Sequence, residues 1–236
     1  MGEGEVQDVS RHRKARKAAV GRPTCYICVQ PGADTRDHIV PSGFFPAPRP
    51  SNLVTLPAHY SCHNRLSEDY ARAILAGASE TSIARRLMEE VRRALRRSDL
   101  GGMKLRRDLI RTLIPRVEIQ SPSGLYLGSS PAVQFDRKRV YPLLQKMVRG
   151  LYHHHTGRFL PTAAPFSWQL NERPVGTLEA VFSQAVPGLS FPAVFDCRYR
   201  IIADDSGELS LWWLRFYEGW FFRCATDTVE SALTPA

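Results

Sequence analysis

Apolar residues at helical spacing predict two amphipathic helices in the middle of the chain. The first runs from about residue 79 to residue 98 and has an apolar side chain at every fourth position: Ile83, Leu87, Val91 and Leu95. A second pattern runs from Met103 to Ile114 and is ended by Pro115. The two glycines at 101 and 102, between these patterns, are expected to stop the first helix.

The C-terminal half is expected to contain one longer helix and a β region. The helix has an apolar face made of Val140, Leu144, Met147, Val148 and Leu151. Because proline disrupts a helix interior, Pro142 is expected in the first turn, which places the start near Tyr141 rather than at Asp136. After a short helical pattern at 177–185, two aromatic and β-branched runs at 191–203 and 209–225 predict a hairpin.

Shorter patterns predict two further hairpins. Residues 117–128 have strand character on either side of a Ser-Pro-Ser-Gly turn. Near the N-terminus, Ile39–Val40 and Leu53–Leu56 predict two strands separated by a Pro-rich loop. A helix is expected to open near Ser61, with His63 in its first turn and one apolar face made of Leu66, Tyr70, Ala73 and Ile74.

The overall charge favours a polyanionic partner. The 236 residues carry 32 Lys or Arg against 23 Asp or Glu, a net charge of +9, which suits nucleic acid or an anionic membrane surface. No apolar run approaches the eighteen or so residues of a membrane span, so no membrane insertion is expected. The N-terminus lacks the hydrophobic stretch of a secretory signal, and a cytoplasmic location is expected.

Much of this positive charge is concentrated on the two central helices. Residues 85–116 contain eleven Lys or Arg against four Asp or Glu. A charged helix face is often simply solvated, and phosphate contact is the functional alternative. The candidate nucleic-acid contacts are Arg85, Arg92, Arg93, Arg96 and Arg97.

Two pairs of metal-ligating residues occur in the first third of the chain. Cys25 and Cys28 form a CxxC pair, and His59 and Cys62 repeat the same spacing. Thiolate and imidazole are the ligands that tetrahedral Zn²⁺ prefers, so the four residues predict a Cys₃His structural zinc site. The alternative is a set of buried cysteines beside a surface histidine, which leaves the paired spacing unexplained.

The order of motifs around these pairs resembles the HNH endonuclease family. Between the pairs lie Asp37-His38-Ile-Val-Pro41 and Asn52-Leu53, and the second pair runs into Cys62-His63-Asn64. The match is specific over residues 25–70, about a fifth of the chain, and the segment from Gly150 to Arg158 resembles bacterial members of the family. The family more often has two cysteines where this chain has the His59/Cys62 pair.

The resemblance implies a zinc-stapled ββα-metal fold and a role for each matching residue. His38 matches the general base, which takes a proton from the attacking water. Asp37 and His63 match the ligands of one catalytic divalent ion, Mg²⁺ or Mn²⁺, with Asn64 as a weaker candidate. Asn52 matches the residue that braces the loop between the strands. Since neighbouring residues of a regular strand face opposite ways, Asp37 and His38 share a site only if the backbone bends there.

Together these patterns predict an α+β protein in four segments. A flexible basic arm at 1–22 precedes the HNH module at 23–76, an Arg-rich helical region with a short hairpin at 77–130, and a C-terminal helix with antiparallel strands at 131–236. The aromatic residues around 211–222 are expected to pack in a core, and a homodimer or protein-partner surface is the alternative.

The implied function is hydrolysis of phosphodiester bonds in DNA by a metal-dependent endonuclease. A non-catalytic zinc-stapled module that binds nucleic acid is the first alternative, since it needs neither His38 nor His63. The second is an effector nuclease of a phage-defence complex that is active only with a partner.

Overall fold

The computed structural model describes residues 23–170, 184–204 and 207–227. Within these ranges the chain is a mixed α+β protein with an antiparallel C-terminal sheet. The predicted basic arm at 1–22 and most of the helical pattern at 177–185 lie outside the described residues. No helix in the described ranges is both long and apolar enough to cross a membrane.

The N-terminal part has the expected order of strand, loop, strand and helix, but the first strand ends at His38, before the predicted Ile39–Val40. Strand β1 (Thr35–His38) pairs antiparallel with β2 (Thr55–Ala58), and Asp37 lies opposite Leu56. The single helix predicted from Ser61 is wrong, because the chain forms a short helix α1 (Tyr60–His63) and a separate helix α2 (Glu68–Gly77). The break lets Cys62 pack in a small cluster with Cys25 and Tyr26 while α2 packs in the main core.

The two Arg-rich helices are confirmed, with one correction between them. Helix α3 (Ser82–Arg96) buries Leu87 and Val91, and α4 (Leu100–Arg111) follows. The two glycines at 101 and 102 do not stop α3 but lie in the first turn of α4, where the Asp99 carboxylate accepts a hydrogen bond from the Gly102 N–H at 2.8 Å. A Cβ at Gly102 would lie 2.6 Å from the Ala94 carbonyl oxygen, so glycine permits the close crossing of the two helices.

The central hairpin is confirmed and is longer than expected. Strands β3 (Leu113–Gln120) and β4 (Tyr126–Val133) pair with each other, and the turn lies at Ser121–Leu125. Ile114 and Pro115, which were expected to end a helix, belong to β3. All eight residues of β3 are exposed.

Helix α5 (Arg137–Thr156) begins earlier than predicted. Pro142 lies in its second turn, so the expectation of a start near Tyr141 is wrong. The Asp136 carboxylate caps the helix by accepting from the Lys138 N–H at 3.0 Å, and the Tyr70 hydroxyl holds the preceding segment by donating to the Gln134 carbonyl at 2.9 Å. These two hydrogen bonds stabilise the first turn of α5 before Pro142. Helix propensity alone favours a helix that starts later.

The expected C-terminal antiparallel strands form a five-stranded sheet, which includes the predicted hairpin. The strands are β5 (Phe166–Leu170), β6 (Val186–Phe191), β7 (Phe195–Asp204), β8 (Gly207–Phe216) and β9 (Trp220–Asp227), in the order β5-β9-β8-β7-β6. The run at 209–225 is itself a hairpin, because Tyr217 and Glu218 adopt positive φ angles of 47° and 61° and turn the chain.

The sheet and the helices share one hydrophobic core. Trp212, Phe216, Tyr217 and Phe222 are buried in it, and the Tyr217 hydroxyl donates to the Phe44 carbonyl at 2.9 Å. The core also includes Ile39, so it extends across the segment boundaries predicted at residues 76 and 130. These buried rings need no partner chain, and a partner surface at 211–222 stays a prediction.

Candidate functional site

Four side chains of the N-terminal part form a metal-ligand cluster. The sulfur atoms of Cys25, Cys28 and Cys62 and a ring nitrogen of His59 all lie within 4.8 Å of one another. His59 Nδ1 is 3.3 Å from Cys28 Sγ and 3.8 Å from Cys62 Sγ. Tetrahedral Zn–S and Zn–N bonds place sulfur and nitrogen roughly 3.5 Å apart, so these residues fit a single metal ion.

Local hydrogen bonds shape each half of this cluster, and the His59 N–H donates to Cys25 Sγ at 3.4 Å across the two halves. The Val29 N–H donates to the Cys25 carbonyl at 2.9 Å, which closes the CxxC turn. The Cys62 N–H donates to the His59 carbonyl at 3.0 Å in the same way. His59 Nε2 lies 3.2 Å from the Pro31 carbonyl, which only accepts, so Nε2 carries the ring proton and the Nδ1 lone pair faces the sulfurs.

The cysteines of the cluster differ in how readily they ionise. Burial raises the pKa of Cys62 to about 12, and the neighbouring sulfurs add to this effect. Burial also acts to raise the pKa of Cys25, but backbone hydrogen bonds from Cys28, His59 and Ile27 outweigh it and leave that pKa lowered. Several thiolates crowded together repel one another unless a cation neutralises them, so the cluster could hold a metal ion.

A second cluster is centred on the buried carboxylate of Asp37. Its Oδ2 atom accepts a hydrogen bond from the Tyr26 hydroxyl at 2.6 Å and lies 2.8 Å from Lys146 Nζ. Lys146 comes from α5, its side chain is 1% exposed, and its ammonium also lies 3.2 Å from Glu68 Oε1. The buried ammonium is therefore paired with two carboxylates from different elements.

His63 faces the other oxygen of the same carboxylate. The Thr35 hydroxyl donates to the Ala58 carbonyl at 2.9 Å, so it can only accept from His63 Nε2, which lies 3.2 Å away. In a neutral imidazole the proton is then on Nε2, and the Nδ1 lone pair points toward Asp37 Oδ1 at 3.9 Å. Two acceptors that face each other at this distance could be bridged by a cation.

The spacing of these two acceptors fits a divalent ion. Two ligands at about 2.1 Å from one Mg²⁺ ion are roughly 3.0 Å apart at a right angle and about 4.2 Å apart when opposite. The 3.9 Å between Asp37 Oδ1 and His63 Nδ1 is closer to the opposite arrangement, which a shift of about 0.3 Å would complete. Asp37 and His63, which the resemblance paired as ligands, are therefore close enough to bind one ion.

The strand register places His38 on the opposite face of β1. His38 pairs with Thr55 across the hairpin, and Arg36, two residues before His38, donates to the Thr55 hydroxyl at 2.9 Å. Side chains alternate along a strand, so Arg36 and His38 share one face while Thr35 and Asp37 share the other. The register of β1 with β2 is continuous from Thr35 to His38, and the chain bends directly after it, at Ile39 and Val40.

The two asparagines of the motif are exposed. Asn52 lines a groove with the Pro-rich loop, among Phe45, Pro46, Pro48 and Pro50. Asn64 follows the last residue of α1 and lines a cleft of about 250 Å³ together with His63, Glu68, Lys104 and Asp108. His63 is therefore reachable from solvent on the side of α4.

Three members of the Asp37 cluster were not expected from the sequence. Tyr26 lies inside the CxxC pair, Glu68 begins α2, and Lys146 interrupts the apolar pattern of α5. The only available signal was a lysine flanked by core positions such as Leu144 and Met147. It does not identify a partner, because the pairing depends on how α5 packs against β1.

The five candidate arginines on and just after α3 are all solvent-exposed. Arg97 is paired with Asp99, whereas Arg85, Arg92, Arg93 and Arg96 extend from the exposed faces of the helix. Exposure suits both contact with a phosphate backbone and simple solvation.

Comparison of the chain with protein-family models, with curated proteins and with solved structures gives no match.

Proposed function

We propose that this protein is an HNH-type endonuclease that hydrolyses phosphodiester bonds in DNA with one divalent metal ion. The observation that carries the proposal is the opposed pair of acceptors, Asp37 Oδ1 and His63 Nδ1, at 3.9 Å. The pair lies in a small strand–strand–helix unit that also carries the Cys/His cluster, with Asp37 buried and His63 lining a solvent-accessible cleft. The proximity of Asp37 and His63 supports the metal-ligand roles that the HNH resemblance implies for them.

Each residue of the motif has a defined part in the proposed reaction. Asp37 and His63 hold Mg²⁺ or Mn²⁺, which when bound would supply Lewis-acid stabilisation of the charge that develops on the phosphate oxygens. His38 takes the proton of the attacking water. Because β1 ends at His38, a DNA strand crossing that end meets side chains from both faces of β1. Asn52 braces the loop between the strands.

The Cys/His cluster and the exposed arginines of α3 are assigned binding roles and take no part in the proposed reaction. Cys25, Cys28, His59 and Cys62 hold a structural zinc ion, which compensates for the small core of this part of the chain. The exposed arginines of α3 follow the phosphate backbone of DNA, and the positive net charge assists the encounter.

One observation favours a second candidate, a non-catalytic zinc-stapled module that binds nucleic acid. Asp37 Oδ2 already has two donors, Tyr26 and Lys146, and the buried ammonium neutralises the carboxylate without any metal. In that case Asp37 is a structural residue, and the basic surface alone is functional.

Nicking of supercoiled plasmid with and without Mn²⁺ or Mg²⁺ separates the two candidates. We expect nicking that requires the metal, that is lost in Asp37→Asn and that needs a higher metal concentration in His63→Ala. Asp69→Asn is the matched control, since Asp69 is an exposed carboxylate on the same cleft that pairs with Arg72 at 3.0 Å. DNA binding without nicking, in zinc-loaded folded protein, would contradict the nuclease and favour the binding module.

A further inference from the structure

Lys146 is a buried charge that the proposed reaction does not use directly. It lies on α5, far along the chain from the HNH-like motif, and its side chain is 1% exposed. Its ammonium and the Tyr26 hydroxyl both bind Oδ2 of Asp37, at 2.8 Å and 2.6 Å. Both groups bind through Oδ2, whereas Oδ1 faces His63 at 3.9 Å.

Close packing of α5 fixes where this ammonium lies. Gly150 is one turn beyond Lys146, and a Cβ at Gly150 would lie 3.1 Å from both Cγ atoms of Ile39 and 3.1 Å from the Tyr26 ring. The absence of a side chain therefore lets α5 approach β1 and Tyr26 directly. Lys146 reaches Asp37 because of this approach.

We infer that Lys146 and Tyr26 are positioning residues that hold Asp37 so that its Oδ1 faces His63 and binds the divalent ion; this inference rests on the proposed function. A carboxylate fixed through one oxygen presents the other in a single orientation. Loss of such an outer hydrogen bond commonly weakens metal affinity about 10- to 100-fold. The C-terminal half of the chain is then part of the catalytic site.

Mn²⁺ affinity of the zinc-loaded protein, measured from the free Mn²⁺ signal in electron paramagnetic resonance, tests this inference. We expect the Mn²⁺ Kd to rise about 10- to 100-fold in Lys146→Met and in Tyr26→Phe. Tyr26→Phe keeps the buried ring and serves where Lys146→Met does not fold. Lys104→Met is the matched control, because Lys104 is exposed in the neighbouring cleft, and its Kd should equal that of the parent.

The possible outcomes are distinct. Parent protein that binds Mn²⁺ no better than Asp37→Asn overturns the proposed metal site and this inference with it. Parent protein that binds Mn²⁺ and nicks DNA, with unchanged Kd values in folded Lys146→Met and Tyr26→Phe, overturns this inference alone. A lower melting temperature with an unchanged Kd assigns the two residues a purely structural role.

A separate observation concerns the β3–β4 hairpin, which is an exposed apolar ribbon. Of the fifteen large apolar side chains exposed in the described ranges, eleven lie between residues 100 and 133. β3 and β4 form a two-stranded sheet by themselves among the described residues. A lone two-stranded ribbon is only marginally stable in water.

The sequence of β3 has the alternating pattern of a strand whose apolar face is buried. Apolar and polar residues alternate from Arg116 to Gln120, which is the pattern of a half-buried strand. Yet the apolar members, Val117 and Ile119, are 37% and 44% exposed. The ribbon therefore has an apolar face and an open strand edge that favour a partner strand.

We propose that the partner is β3 of a second copy of this chain. Antiparallel pairing about a two-fold axis at Val117 places Arg116 opposite Glu118 of the other copy, and the reverse pair follows from the symmetry. Opposite charges that face each other across strands stabilise pairing, and like charges oppose it. The register with β4 shifts between Ile114 and Val117 and again after Ile119, so the regular centre of β3 is residues 117–119. Pro115, which lacks an N–H, lies outside this centre, and Arg116 lies next to it.

Charge exchange tests this register by sedimentation equilibrium. We expect a dimer for the parent, about tenfold or more weaker self-association for Arg116→Glu and for Glu118→Arg, and recovery in the double variant. Mixing the two single variants should give a heterodimer, since every facing pair is then of opposite sign. Circular dichroism confirms that each variant is folded.

Two results would overturn this proposal. One is a parent protein that stays monomeric at roughly 100 μM, a concentration at which a weak specific dimer is detected. The other is a dimer whose strength does not respond to the charge exchanges, which would place the interface elsewhere, for example on the aromatic strands at 211–222.

Discussion

Gly150 of α5 lies directly against Ile39, the residue that follows β1. A Cβ at Gly150 would approach Cγ1 and Cγ2 of Ile39 to 3.1 Å. This contact brings a helix of the C-terminal half against the strand that carries Asp37, and Ile39 itself is fully buried. The packing of α5 and the geometry of the candidate site are therefore linked.

Gly150→Ala should lower the stability of the whole chain. The added methyl group is overpacked against Ile39 and Tyr26, which typically costs about 1–3 kcal/mol, partly offset by the roughly 1 kcal/mol that alanine gains over glycine in a helix. Urea unfolding monitored by tryptophan fluorescence measures the change. Gly101→Ala is the control, because its Cβ would meet only Asp99 Oδ1 at 3.6 Å, and it should be neutral or slightly stabilising. Equal stability of the two variants would contradict the close packing.

Loss of a cluster cysteine should remove the metal and the local fold together. Cys28→Ser and Cys62→Ser are expected to reduce zinc content, measured by elemental analysis, and to lower the melting temperature. Cys224→Ser is the control, since Cys224 is buried in the sheet away from the cluster, and it should keep its zinc. Parent protein purified without any bound zinc would exclude the structural zinc site.

Substitution of the two histidines should impair cleavage in different ways. His38→Ala is expected to keep zinc, fold and DNA binding but to lose about 10²- to 10⁴-fold in nicking rate, the usual effect of a lost general base. His63→Ala should instead need more Mn²⁺ or Mg²⁺ to reach its maximal rate. Nicking rates across a metal titration measure both. A His38→Ala variant that cuts as fast as the parent would assign the base to another residue or exclude the nuclease.

DNA affinity should fall steeply with salt if the exposed arginines of α3 contact phosphates. Changing Arg92, Arg93 and Arg96 together to Gln should flatten the log–log dependence of affinity on salt, by about 0.9 for each lost contact. Fluorescence anisotropy with a labelled duplex gives the slope. Arg137→Gln with Lys138→Gln removes exposed charge from α5 instead and serves as the control. An unchanged slope in the triple variant would identify these arginines as a solvated face.

Features that depend on neighbours in the chain could be predicted from the sequence. Leu87 and Val91 recur at helical spacing, and both are fully buried in α3. The paired spacing of Cys25 with Cys28 and of His59 with Cys62 predicted the metal-ligand cluster. The Ser-Pro-Ser-Gly segment predicted the turn of the β3–β4 hairpin. Each pattern lies within a few neighbouring residues, although the two Cys/His pairs meet only because β1 and β2 form a hairpin between them.

The errors lie where distant contacts outweigh local preference. Pro142 favoured a late helix start, but the Asp136 cap and the contact with Tyr70 hold the earlier turn. The run at 209–225 has the composition of one long strand, yet it turns at Tyr217 because both halves must pair within one sheet. The helix expected from Ser61 breaks because its two parts pack in different clusters.

The sequence by itself determined the ligand types, their spacing and the amphipathic elements, because these are properties of residues near one another in the chain. Only the tertiary structure decided that Lys146 and Tyr26 meet at one oxygen of Asp37 while His63 faces the other. That arrangement depends on how closely α5 packs against β1. Such packing is the joint result of many side chains, and no single segment of the sequence contains it.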